Sequence, residues 1–152
     1  GVMRRFSVWR TPKGITVIDD YAHNPEKIIA AIITARDFGA RIFAVFQPHG
    51  YGPTRFLKDD LVDTFSGLIR DTDEIYFLPI YYAGGTTQKD ISSTDLADQV
   101  HKRGVMAYAP QNRDGLVAGL KRRVKPGDVV ILMGARDPTL ARLAQEIKNS
   151  LE

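Results

Sequence analysis

Short runs rich in β-branched and aromatic residues alternate along the chain with longer stretches whose apolar positions recur every three to four residues. The short runs fall at residues 5–9, 15–18, 41–46, 74–78, 105–108 and 128–133, and each is the length of a strand. The stretches between them read as helices. Residues 25–38 carry Ile28, Ile29, Ile32, Ile33 and Ala35 at helical spacing, and residues 56–69 carry Leu57, Leu61, Phe65 and Leu68. Residues 93–103 have Leu96 and Val100, and 113–124 have Leu116, Val117 and Leu120. The last, 138–151, sets Leu140, Leu143, Ala144, Ile147 and Leu151 along one face.

The boundaries have chemical causes. Asn24-Pro25 and Asp137-Pro138 each offer a side-chain acceptor as N-cap with proline at the first helical position. Ser92-Ser93-Thr94-Asp95 supplies hydroxyl caps and an acid for the first turn. Gly39, Gly104 and Gly127 stand where helices end or strands begin. Strands that alternate with helices predict an α/β fold, a Rossmann-like doubly wound sheet of about six strands with helices on both faces. The opening strand reaches the next through Thr11-Pro12-Lys13-Gly14, a hairpin-sized link, so it is expected as one antiparallel edge on a mostly parallel sheet. No repeat or linker interrupts the alternation, and residues 1–152 read as one domain.

Composition narrows the function classes. Of 152 residues, 43% are hydrophobic and 26% charged, which is a globular balance. No apolar run approaches the ~18 residues of a transmembrane helix, nothing at the start reads as a signal peptide, and there is no cysteine. A cytoplasmic protein with no membrane partner is expected. The net charge of +3 comes from scattered basic residues, with only Lys121-Arg122-Arg123 and Arg4-Arg5 clustered. Nucleic-acid binding needs a continuous basic stripe, so no nucleic-acid partner is expected, and a small anionic ligand accounts for the balance at least as well.

Ligands of such sheets bind outside the carboxyl ends of the parallel strands. That rule selects residues 19–24, 47–55, 79–90, 109–112 and 134–137, whereas the turns on the other edge are blander. The first segment, Asp19-Asp20-Tyr21-Ala22-His23, exceeds what a helix cap requires. Asp20 can bond a ribose hydroxyl or orient a cation, and His23 can donate to a phosphate or carboxylate at the following helix N-terminus. In the second, His49, Tyr51 and Arg55 supply donors on a backbone shaped by two glycines and two prolines, with Arg55 suited to an anion. There, Thr54 is equally suited to cap the helix. Tyr81-Tyr82-Ala83-Gly84-Gly85 reads more readily as an ordinary turn than as a phosphate cradle. At Gly134-Ala135-Arg136-Asp137, Gly134 would let a ligand approach the backbone, and Arg136 stands at a helix N-terminus. The chain has neither a G-x-x-x-x-G-K-[ST] nor a G-x-G-x-x-G motif, and His23, His49 and His101 lack metal-ligand spacing. This is an anion-friendly rim without a complete catalytic engine.

Gly1-Val2-Met3-Arg4-Arg5-Phe6, Asp19-Asp20-Tyr21-Ala22-His23-Asn24-Pro25, Phe46-Gln47-Pro48-His49 and Tyr82-Ala83-Gly84, in that order, resemble the C-terminal domain of the Mur ligases over essentially the whole chain. Among these the alanine-adding members are most similar. The resemblance implies an ATP-dependent amide ligase of peptidoglycan synthesis. ATP phosphorylates the carboxylate of UDP-N-acetylmuramate, and the amine of an amino-acid acceptor displaces the phosphate. It further implies partner domains of the same enzyme, an N-terminal one for the UDP-sugar and a central one with the phosphate loop and the Mg2+ ligands. The C-terminal domain would close over ATP and bring the acceptor, inactive when isolated. By resemblance Arg5 and Asp20 are nucleotide-binding, and Tyr21, His23, His49, Arg55 and Arg136 belong to the amino-acid pocket. A murein-peptide ligase with a peptide acceptor, or a non-catalytic nucleotide- or anion-binding module, are the alternatives. Alanine-adding members commonly read H-R-Y-x-R-T-R in the second loop, but Gly50 and Pro53 stand here at the first two arginine positions. The family's A-H-H-P is likewise A-H-N-P.

Overall fold

The computed structural model describes residues 6–82, 84, 88–135 and 137–152. Its strands are β1 (Ser7–Arg10), β2 (Thr16–Asp19), β3 (Ile42–Gln47), β4 (Glu74–Phe77), β5 (Ala107–Tyr108) and β6 (Val129–Gly134). Its helices are α1 (Pro25–Ala35), α2 (Tyr51–Leu68), α3 (Ser93–His101), α4 (Arg113–Arg123) and α5 (Leu140–Ser150). They form one six-stranded sheet in the order β1-β2-β6-β3-β4-β5. β1 pairs antiparallel with β2, Val8 opposite Ile18, and every other pairing is parallel. β1 alternates in burial as an edge strand does, whereas the interior strands β2, β6, β3 and β4 are buried at every position.

Successive residues of each strand serve opposite faces. Ile18, Ala44, Phe46, Ile75, Phe77 and Ile131 pack with α1, α2 and α3. Val17, Phe43, Val45, Tyr76, Val130 and Leu132 pack with α4 and α5. On the first face Phe65 of α2 lies 5.3 Å from Phe77 and 5.4 Å from Phe46, ring centre to ring centre. Each such fully buried ring contributes about 1.5–3 kcal/mol. β6 sits between β2 and β3, yet the chain leaves it toward the opposite face from the one they feed.

Three expectations about elements need correction. α1 buries Ile28, Ala31, Ile32 and Ala35 but leaves Ile29 and Ile33 exposed, because a 3.6-residue period turns those two away from the sheet. α2 begins at Tyr51, five residues before position 56, so the expected loop 47–55 is helical over its second half. Thr54 is accordingly a buried helical residue and not the cap, which is Gly50. α5 begins at Leu140 after a turn. There Asp137 accepts from the Thr139 amide at 2.8 Å and from its hydroxyl at 2.6 Å, so it shapes that turn and does not cap a helix opening at Pro138. The caps at Asn24 and Ser92 form as expected, the latter as a reciprocal capping box with Asp95.

The edge at the amino ends of the parallel strands is also less bland than its sequence. Buried Asp73 pairs with Arg36 at 2.7 Å and accepts the Ile42 amide at 2.8 Å and the Arg70 amide at 2.8 Å. Asp128 does the same for Arg41, 2.8 Å, and the Lys125 amide, 2.7 Å. Glu74 accepts from Tyr76 and Arg123, each at 2.7 Å, and burial together with that bond pushes the Tyr76 phenol far up. These pairs hold turns to strand starts.

Candidate acceptor and nucleotide site

The five parallel strands end on one rim, which places the segments after β2, β6, β3, β4 and β5 side by side. After β2, the Asp20 amide still donates to Leu132 of β6, 3.0 Å, and then Asp20 Oδ2 accepts from the Ala22 amide at 2.9 Å. That local bond lifts Tyr21 and His23 toward the rim. His23 Nδ1 lies 3.1 Å from the Tyr21 carbonyl oxygen, which can only accept, so Nδ1 donates there and Nε2 is left for another partner. The Tyr21 ring meets His23 edge-on at 5.9 Å.

Beyond β3 and β4 the sheet continues for a further pairing. Tyr81 donates to the Pro48 carbonyl at 2.8 Å, Gly50 donates to the Tyr81 carbonyl at 2.8 Å, and His49 stacks on Tyr81 with ring centres 5.5 Å apart. The extension ends at Gly50, whose φ of 77° and ψ of 142° turn the chain into α2. Only glycine takes that conformation without strain.

Three sequence segments converge on a cavity of about 250 Å³ at the switch point between β2, β6 and β3. His23 comes from the β2 loop, Gln47, His49, Pro53, Thr54 and Leu57 from β3 and α2, and Ala135 from the β6 loop. On the outer side of His23 a second hollow, about 500 Å³, runs over Asp20, Tyr21, Lys27, Ala31 and Phe6. His23 is thus the wall between the two. A third, of about 520 Å³, opens on the far side of Gln47, among Tyr81, Asn112, Arg113 and Asp137.

Of the residues selected from sequence, the fold brings Asp20, Tyr21, His23 and His49 to this rim. Arg55 lies one turn into α2, lines none of the three hollows, and pairs with the exposed carboxylate of Asp90. Arg5 and Arg136 lie outside the described residues, as do most of the first resembling motif, Ala83 and Gly85. A side chain at Gly134 would meet the Gln47 carbonyl at 2.9 Å and Leu140 at 3.1 Å, so the strand end and the helix pack against this position too closely for a Cβ.

Sequence reading passed over the rim's polar centre. Arg113, the first residue of α4, donates to Asp137 at 2.5 Å, to Thr139 at 2.6 Å and to the Gln47 side-chain oxygen at 3.4 Å. Burial alone would raise the Asp137 carboxyl, but the Thr139 hydroxyl and amide and the Arg113 charge outweigh it and hold it below the ordinary carboxylate value. The signal was present, since Arg113 directly follows the loop after β5. By sequence its position reads as a helix start. Among the described residues no three His, Cys, Asp or Glu side chains are grouped to hold a metal ion.

Fold and rim define a doubly wound α/β domain with a cavity at its topological switch point. The sequence model of the family described as "Mur ligase, glutamate ligase domain" matches residues 4–136, and the chain belongs to that family. A curated relative, the UDP-N-acetylmuramate–L-alanine ligase of Acetivibrio thermocellus, is 39% identical over 138 residues, 90% of this chain and 29% of the relative. The crystal structure of UDP-N-acetylmuramate-alanine ligase from Thermotoga maritima superposes with a TM-score of 0.65 at 26% identity, over 98% of this chain and 30% of that one. A MurF ligase of the same organism, in complex with ADP, has a TM-score of 0.65 at 21% identity over 99% of this chain and 32% of that one. The chain therefore spans just under a third of the length of the relatives it matches.

Proposed function

We propose that this chain is the acceptor-binding, nucleotide-closing domain of an ATP-dependent ligase that joins an amino acid or peptide amine to the carboxylate of UDP-N-acetylmuramate. One observation carries the reading. Segments distant in sequence meet at the switch-point cavity, with His23 forming the wall toward the hollow that holds Asp20. An amine in the inner cavity is thereby set beside a nucleotide that approaches along Asp20 and Tyr21. The relatives' names and the ADP complex of the MurF ligase support the same reaction class.

In this reading Asp20 accepts from a ribose hydroxyl, and Lys27, in the first turn of α1, faces phosphate. His23 takes a proton from the incoming ammonium through Nε2, which frees the amine's lone pair for the acyl phosphate. Attack forms the C–N bond and breaks the bond from carbonyl carbon to phosphate oxygen; inorganic phosphate leaves, and the nitrogen's second surplus proton passes to water or phosphate. The apolar walls, Phe46, Pro48, Pro53 and Leu57, keep water from the same carbon. Preceding domains would supply the UDP-sugar site, the phosphate loop and the Mg2+ ligands.

The acceptor is the open variable, and Pro53 bears on it. Where an arginine would grip a free carboxylate, this cavity presents a pyrrolidine ring. In this reading L-alanine, the acceptor in the relatives' names, has its carboxylate held by a group other than residue 53, and a short peptide is the alternative acceptor. The test is phosphate release by the full-length protein with UDP-N-acetylmuramate, ATP and Mg2+, screened across alanine, glycine, serine and dipeptides. Acceptor-dependent release is expected, reduced at least 10-fold by His23→Ala with unchanged thermal stability, on the roughly 10²–10⁴ scale of proton-handling groups. Release indifferent to every acceptor would refute the proposal.

A further inference from the structure

We infer that Arg113 is a positioning residue for the acceptor cavity, acting through Gln47 and Asp137; the inference rests on reading that cavity as the acceptor site. Gln47 ends β3, is 4% exposed, and lines both the 250 Å³ cavity and the hollow beyond it. Its amide has two different neighbours: the side-chain oxygen faces Arg113 at 3.4 Å, and the side-chain nitrogen donates to the Pro79 carbonyl. Reversing the amide would set NH2 against guanidinium and oxygen against oxygen. The cation therefore selects one orientation of the cavity wall.

The same guanidinium holds Asp137, two residues beyond the Ala135 that closes the cavity from the β6 side. One side chain thus ties the ends of β3 and β6 to the start of α4, and through Pro79 the end of β4. Lysine cannot replace it, because a point charge does not meet Asp137, Thr139 and Gln47 at once in a planar fork. The contrast with the opposite edge is informative. There Asp73 and Asp128 end on backbone amides of turns and strand starts, which is scaffolding. Here the network ends on a side chain in the wall of the cavity.

The experiment uses the full-length protein with Arg113→Met, Arg113→Lys, Gln47→Met and the double variant Arg113→Met with Gln47→Met. KM for the best acceptor of the screen, KM for ATP and melting temperature are measured on each. Both methionine singles are expected to raise acceptor KM roughly 5–50-fold with ATP KM within about two-fold, and the double variant to be no worse than the worse single. Arg113→Lys, which retains the charge and the fold, should also lose acceptor affinity. Additive effects, equal rises for ATP and acceptor, or an unchanged acceptor KM in an active enzyme overturn the inference alone. A wild-type protein with no acceptor-dependent turnover overturns the acceptor reading and the inference with it. The Gln47 side-chain NH2 resonance, tracked by NMR, checks the tie without turnover: no shift in Arg113→Met overturns it.

Discussion

Asp137 shows how a single residue combines roles that its neighbours in sequence do not disclose. Beside Pro138 it reads as a helix cap, yet it is a buried carboxylate paired across the rim with Arg113. Its carboxyl is held below the ordinary value near ~4, so the pairing stabilises fully above that pH and is lost as pH falls through the depressed value. Asp137→Asn should therefore lower stability by about 1–3 kcal/mol at pH 7, and the gap to wild type should close below about pH 4. Melting temperatures of both proteins from pH 7 to 3 check this; a gap independent of pH contradicts it. Asp20 and His23 stand out in the sequence because their turn carries more polar residues than a helix cap requires, and the fold sets both at the rim. Arg113 does not stand out, because at a helix start an arginine looks the same whether it faces solvent or a buried acid beyond the next strand.

At the scale of elements, strand positions and helix faces followed from periodicity, since a buried face must repeat with the element's own geometry. Leu140, Leu143, Ala144 and Ile147 of α5, and Leu151 just beyond it, are all buried as the spacing requires. The start of α2 did not follow. Gly50-Tyr51-Gly52-Pro53 has the composition of a loop, but proline is tolerated in a first helical turn, and the bridge from His49 to Tyr81 fixes where the strand stops. Gly50 then bears the whole reversal. Gly50→Arg, which restores the residue common in alanine-adding relatives, is expected to cost about 1–3 kcal/mol from backbone conformation, lowering the melting temperature by roughly 3–10 °C. Affinity for alanine should not rise. A more stable variant, or one that binds alanine more tightly in calorimetry, would show that this turn accommodates a side chain.

At the scale of the molecule, the proposed role gives this domain ligands to position and leaves phosphate transfer to other domains. The sequence has no phosphate loop, and the described residues group no metal ligands. Residues 1–152 expressed alone are therefore expected to release no phosphate from ATP in the presence of UDP-N-acetylmuramate, Mg2+ and acceptor; measurable release contradicts this. No helix among the described residues is long and apolar enough to cross a membrane. The sequence by itself determined the alternation of elements, the antiparallel edge and the rim formed by the carboxyl ends of the parallel strands, because these follow from local periodicity and from strand direction. Only the tertiary structure decided that β6 inserts between β2 and β3, which opens the cavity. It alone joined Arg113 to Asp137 and Gln47, contacts between residues 24 and 66 positions apart that no local pattern encodes.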